Sequence, residues 1–139
     1  MADLSLHFQP KLSILVPTMD RRFEEGVKLF NREEFFDAHE VWEDLWHEYR
    51  ETDRTFLQGL IQAAAGLYHA QCGNERGAIS QISKAIAKLT QYVPKHWSVD
   101  TDGLIRSLHE WLEDPGTKNE YRPQRPFPTV KTDDEPSTP

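Results

Sequence analysis

The sequence predicts an all-α fold: a compact antiparallel bundle of about five helices built from helical hairpins, with no sheet. Three observations carry this. Thr55–Cys72, TFLQGLIQAAAGLYHAQC, contains no Asp, Glu, Lys or Arg, although charged residues make up 28% of the chain. A helix apolar around most of its circumference is buried between others. Apolar residues recur at helical spacing in the flanking stretches too, between short breaks at Asn31, Gly73-Asn74, Pro94 and Pro115-Gly116. Finally, Gly26-Val27 with Ala38 returns forty residues later as Gly66-Leu67 with Ala78, the pattern of stacked helical hairpins.

Residues 1–17 hold two prolines and the short apolar run Ser13–Val16, and read as an extended arm. The helical domain spans 18–114. Thr18 or Asp20 caps a first helix to about Phe30, with Phe23, Val27 and Phe30 on one face. Asn31, with Glu34 three residues on, is the expected cap of a second helix over Glu33–Arg50. There Phe35, Ala38, Trp42, Leu45 and Tyr49 form the inward stripe. Glu51–Arg54 turns the chain. Thr55 and Gln58 match the capping-box spacing at the start of the central helix. On that helix Phe56, Leu60, Ala63, Leu67 and Ala70 share a face, and Leu57, Ile61, Ala64 and Tyr68 share its neighbour.

Gly73-Asn74 reads as a helix stop followed by the next N-cap. The fourth helix runs to about Tyr92, burying Ala78, Ile82, Ala85, Ile86 and Leu89, and Pro94 ends it. Asp100 caps the fifth, with Val99 and Leu104 as a hydrophobic staple. Leu104, Leu108, Trp111 and Leu112 face inward. The tail, 115–139, holds Pro115, Pro123, Pro126, Pro128, Pro136 and Pro139, and does not form a helix. Tyr121, Phe127 and Val130 are the residues able to tack it onto the body.

Composition narrows function by exclusion. At 139 residues the chain is one domain with room for a real core. A net charge of −7 and no Lys/Arg cluster argue against a nucleic-acid surface. Three glutamines and a histidine on the uncharged helix argue against a membrane span. The N-terminus lacks a basic start followed by a long apolar run, so it does not read as a signal peptide. The single Cys72 allows no intrachain disulfide and is expected to be a buried, inert thiol; a reducing, cytoplasmic setting is the expectation. Trp42, Trp97 and Trp111 read as core, and His47, His96 and His109 as surface or cap residues.

The second helix carries His39, Glu43 and Trp46 at HxxxExxW spacing, which turns all three one way, along with Phe36 and Arg50. On the central helix, Gln58, Gln62 and His69 lie within about 40° of one another. The segment Gly26–Leu89, with FFDAHEVWEDLW, FLQGLIQAAAGLYH and GNERGA, resembles the domain-of-unknown-function family 309. The resemblance implies an all-helical fold with no established activity, although members are sometimes labelled metal-dependent hydrolases. It carries over His39, Glu43 and Trp46, with the Gln/His helix as their companion.

Three readings of this set follow. In the first, it is a polar binding pocket for a small molecule or a protein partner, lined by His39, Glu43, Trp46, Gln58, Gln62 and His69. In the second, His39, Glu43 and His69 ligate a divalent metal ion, and Glu40, next to His39 as in the H-E-x-x-H motif, is the general base of a hydrolase. In the third, the cluster only fixes helix register, with Glu43 as the hub that accepts from His39, Gln62 and His69. The short turn between the second and central helices makes them antiparallel. That register sets Glu43 opposite about Gln62, and His39 near Gly66 or His69.

Overall fold

The computed structural model describes residues 20–113 and 126–133. The elements are α1 (Arg21–Asn31), α2 (Phe35–Glu48), α3 (Arg54–Gln71), α4 (Glu75–Leu89), a single 3-10 turn (Thr90–Tyr92), β1 (Lys95–His96), β2 (Val99–Asp100) and α5 (Thr101–Leu112). The all-α expectation holds, with one small departure. β1 and β2 pair antiparallel over two residues each, Lys95 with Asp100 and His96 with Val99. Trp97 and Ser98 turn between them with φ of 50° and 64°, the left-handed pair that a two-residue hairpin needs. The N-terminal arm, 1–17, lies outside the described residues, as does Tyr121.

The forty-residue echo is a structural fact. At the end of α1, Arg32 N–H bonds the carbonyls of Lys28 and Leu29, Glu33 N–H bonds Phe30, and Glu34 N–H bonds Leu29. At the end of α3, Cys72 N–H bonds Tyr68 and His69, Gly73 N–H bonds Ala70, and Asn74 N–H bonds His69. Every number has moved by forty. The turn residue is left-handed in both, Glu33 at φ 66° and Gly73 at φ 80°. α2 begins at Phe35 and α4 at Glu75. The two hairpins α1–α2 and α3–α4 therefore reverse direction by one device.

They also pack by one device. An added Cβ at Gly26 would lie 2.1 Å from Trp42 Nε1, and one at Gly66 would lie 2.6 Å from Ile82 Cγ1. Each glycine lets its helix take a large side chain from the second helix of the hairpin against bare backbone. The Trp42 indole is fully buried and donates its N–H to the Phe23 carbonyl at 3.2 Å. Phe23 and Phe30 flank it, with ring centroids 6.3 and 5.9 Å away. α3 is the central element: it packs on α2 at one side and α4 at the other, and Phe56, Leu57, Leu60 and Leu67 are fully buried.

Caps follow the expected grammar at three helices. Asp20 accepts from Arg22 N–H, Asn74 from Gly77 N–H, and Asp100 from Gly103 N–H. Val99 and Leu104, the proposed staple, are both buried. Two expected caps do not form. Asn31 does not cap α2; it closes α1, and its side chain accepts from Val130 N–H at 2.7 Å and donates to Val130 carbonyl at 2.9 Å. The tail needs that pair of bonds, and Glu34 takes the N-cap position instead, without a side-chain bond. Thr55 and Gln58 do not form a capping box, because α3 starts one residue earlier, at Arg54.

Phe127 and Val130 do tie the tail to the body. Val130 is buried, and Phe127 meets Phe35 and Trp111 with centroids 5.3 and 6.4 Å apart. Asp100 N–H bonds the Lys131 carbonyl, so the returning segment runs beside β2. Cys72 is exposed, not buried, since it sits at the C-cap of α3 past its last buried turn.

The seating of Trp42 can be tested. Gly26→Ala forces a methyl into an indole fixed by its aromatic neighbours and by its own hydrogen bond, and is expected to cost about 1–3 kcal/mol in urea unfolding. Adding Trp42→Leu removes the obstacle, so the double mutant should lose less than the sum of the two single losses. Strict additivity would show that the ring and the glycine do not meet.

Candidate functional site

The expected site residues fall along the seam between α2 and α3. The seam is antiparallel and is fixed at both ends. At one end Arg54, the first residue of α3, places its guanidinium 3.7 Å from the Trp46 ring centroid and donates to the carbonyls of Trp46 at 3.1 Å and Tyr49 at 2.8 Å. It thus satisfies the last carbonyls of α2 and offsets their dipole. At the other end the rings of Phe36 and Tyr68 meet, with centroids 5.1 Å apart. Counting from that contact, His39 stands level with Ala65, and Glu43 with Ile61 and Gln62.

His39 and Glu43 are brought together. His39 Nε2 lies 3.7 Å from Glu43 Oε2, with the His39 side chain 22% exposed and that of Glu43 44% exposed. Phe36 lies against the His39 ring, centroids 5.9 Å apart. Trp46 and Gln62 are half-buried beneath this surface, and Gln58 is half-buried one turn before Gln62. Three atoms of the set are buried without a hydrogen-bond partner among the described residues: His39 Nδ1, Trp46 Nε1 and Gln62 Oε1. Glu43 is not a hub, and His39 alone among the described residues stands within reach of its carboxylate.

His69 does not join. Its Nδ1 lies 3.1 Å from the Asn74 side-chain amide, and its ring abuts Gly77 in the first turn of α4. One residue, 100° of helix, separates Tyr68, which faces α2, from His69, which faces α4. The expected set of His39, Glu43 and His69 is therefore split between two seams. Among the described residues no group of three or more His, Cys, Asp and Glu is placed to hold a metal ion. A catalytic zinc site needs three protein ligands and an open position. His39 with Glu43 supplies two, so these residues do not fit such a centre, and no step is derived through a metal. Glu40 is exposed on α2, on the solvent side of the pair.

Two exposed aromatics at the site were not anticipated as surface. Phe36 is 46% exposed and Tyr68 is 37% exposed. Phe36 was legible on the same stripe as His39, but Tyr68 read as part of an apolar face.

A second polar cluster closes the α2–α3 turn. Asp53 accepts from the Tyr49 hydroxyl on one oxygen, and on the other meets His96 Nε2 at 3.0 Å and the Trp97 indole N–H at 3.1 Å. His96, expected at the surface or a cap, is half-buried among Tyr92, Phe56 and Trp97, with centroids 4.7, 4.8 and 5.4 Å away. Burial pushes the Asp53 carboxyl up, but the bonds from Tyr49, His96 and Trp97 outweigh it and hold it below the usual carboxylate range. Burial, then the bond to Asp53, pushes the Tyr49 phenol well up. Asp53 occupies the N-cap of α3 yet caps nothing, since its oxygens are engaged across the turn. Neither Asp53 nor His96 stands out in the sequence, because their meeting depends on where the β1–β2 hairpin lands.

Fold and site together define a small all-α protein of two like hairpins and a fifth helix, whose central seam carries a His–Glu pair beside exposed aromatics. Residues 23–81 match the family described as Domain of unknown function (DUF309), which is what this segment of the chain is similar to. The match runs from α1 into the middle of α4 and contains every expected site residue. Comparison with curated proteins finds no match. Among the described residues, no helix is long and apolar enough to cross a membrane.

The Asp53 cluster generates a prediction with a sign. Asp53→Asn weakens one acceptor for three donors and is expected to cost about 1–3 kcal/mol at neutral pH. The folded carboxyl titrates below its unfolded value of about 3.9, so its stabilisation is complete above that value and is lost as pH falls through the folded one. Urea titrations of wild type and Asp53→Asn should therefore converge as pH is lowered from 7 to about 3. A gap that stays constant over that range would contradict the network.

Proposed function

We propose that the α2–α3 seam around His39 and Glu43 is a non-catalytic binding site for a small molecule or a protein partner. The observation that carries this reading is the set of three buried polar atoms without a partner among the described residues, His39 Nδ1, Trp46 Nε1 and Gln62 Oε1, along one seam whose far end carries exposed Phe36 and Tyr68. Buried polar atoms in a finished structural cluster are paired. Here a donor, an acceptor and an imidazole nitrogen have the chemistry to pair with polar groups of a ligand.

The purely structural alternative is weaker on a second ground. The hairpin α3–α4 repeats the turn and the glycine contact of α1–α2, yet at the positions of His39, Glu43 and Trp46 it carries Ile79, Ser83 and Ile86. The shared architecture closes with that polar set or without it.

Chemical-shift mapping of the labelled full chain against a fragment mixture tests the proposal. Perturbed amides should cluster in residues 36–46 and 58–68. A cluster elsewhere, or no response, would overturn it. Stability supplies an independent check. Gln62→Leu removes an orphaned acceptor at similar volume, and is expected to leave stability unchanged or raise it by up to about 1 kcal/mol. The same substitution should weaken every fragment that perturbs the seam. If Gln62→Leu instead destabilises by more than about 1 kcal/mol, the amide is paired in solution and the cluster is structural.

A further inference from the structure

Resting on the reading of the α2–α3 seam as a binding site, we propose that its occupant is a basic amphipathic segment of a partner protein, which seats an apolar side chain on Phe36 and Tyr68 and cationic side chains beside Glu40 and Glu43. The apolar part of the argument is the aromatic pair. Phe36 and Tyr68 touch across the seam, yet they are 46% and 37% exposed. Two large rings left open side by side, on different helices, make a platform rather than a scattered exposure. Such rings anchor partners because they bury much area with little loss of side-chain freedom.

Charge complementarity selects the partner. From Phe35 to Glu48, α2 carries Asp37, Glu40, Glu43, Asp44 and Glu48 and no Lys or Arg. Glu48 is paired with Arg22 at 2.9 Å, on the α1 side of the helix. No Lys or Arg among the described residues forms an ion pair with Glu40, Glu43 or Asp44. Phe36, Glu40 and Glu43 lie within about 60° of one another around α2, so the carboxylates stand on the same flank as the exposed ring. Across the seam, α3 offers no charge between Thr55 and Cys72. An approaching cation therefore meets attraction from α2, while Arg54, the cation of α3, lies at the far end of the seam on Trp46. An anionic segment or an anionic lipid surface meets repulsion.

The test uses three model peptides of equal length: an amphipathic Leu–Lys peptide, its Leu–Glu counterpart, and a Lys–Ser peptide of the same charge. Each is titrated into the full chain by calorimetry and followed by amide shifts. The Leu–Lys peptide should bind, perturbing residues 36–43 and 65–71, with the other two at least about tenfold weaker. Phe36→Ala, and Glu40→Lys combined with Glu43→Lys, should each weaken it by about tenfold or more. Glu24→Lys with Glu25→Lys, the same charge change on α1, should stay within about twofold, and unfolding curves confirm that each variant folds. If the Lys–Ser peptide binds as well, or the α1 variant loses as much, the effect is net charge alone and the proposal is overturned. A Leu–Glu peptide that binds at the same residues overturns the cationic partner but keeps the seam as a binding site. Shifts elsewhere, or none from any peptide, overturn the basic partner, and the fragment mapping alone decides whether the seam binds a ligand.

Discussion

The arrangement depends first on one contact: the Trp42 indole lying against α1 where Gly26 has no side chain. With any Cβ there, α1 and α2 would have to separate, and the ring would lose its bond to the Phe23 carbonyl. Trp42 is fully buried, with Phe23 and Phe30 packed around it. Interiors packed this densely have no slack to absorb a methyl group. The orientation of α2 therefore follows from a residue on another helix. That orientation turns the face one third of a turn away, with His39 and Glu43, toward α3. The site is downstream of a glycine it never touches.

The second constraint acts at the opposite end of α2. Arg54 and Asp53 are adjacent in sequence and serve different partners. Arg54 turns back onto α2, stacking on Trp46 and closing the last carbonyls. Asp53 turns outward and holds His96 and Trp97 of the β1–β2 hairpin. That hairpin leads directly into α5, and β2 receives the tail through Asp100 and Lys131. The short connection between α2 and α3, with the first residue of α3, thus joins the first hairpin to everything that follows α4. It also fixes Trp46, the last member of the motif, from above with a cation and from below with the core. At the other end of the seam the Phe36 ring meets both His39 and Tyr68.

Much of this was legible in the sequence because it is local. Helical periodicity gave the five helices, and short polar residues ahead of them gave three caps. The spacing of Gly26, Ala38, Gly66 and Ala78 gave the two like hairpins. What was not legible depends on distant partners. Asn31 has the composition of a cap, but a segment 99 residues away claims its side chain. His69 shares a stripe with Gln62 on a helical wheel, but α3 is packed on two sides. A wheel does not say which flank meets α2 and which meets α4. The same ambiguity hid Tyr68, whose apolar neighbours suggested burial. Asp53 and His96 lie 43 residues apart and meet only because a two-residue turn points His96 back at α3.

The two hairpins offer an internal control on what the motif is for. Both reverse through the same backbone bonds and a left-handed residue, and both seat a bulky side chain on a glycine. These shared features are what a helical hairpin needs to close. The features that differ are what closure does not need. In α2 the outward-turned positions hold a histidine, a carboxylate and an indole; in α4 they hold Ile79, Ser83 and Ile86. The polar set brings buried atoms without partners, each a cost to stability of about 1–3 kcal/mol when no water or ligand completes it. The twin hairpin closes without this set, so hairpin closure alone does not account for it. The set lies on the seam whose far end carries two exposed aromatic rings, beside carboxylates that no Lys or Arg among the described residues pairs.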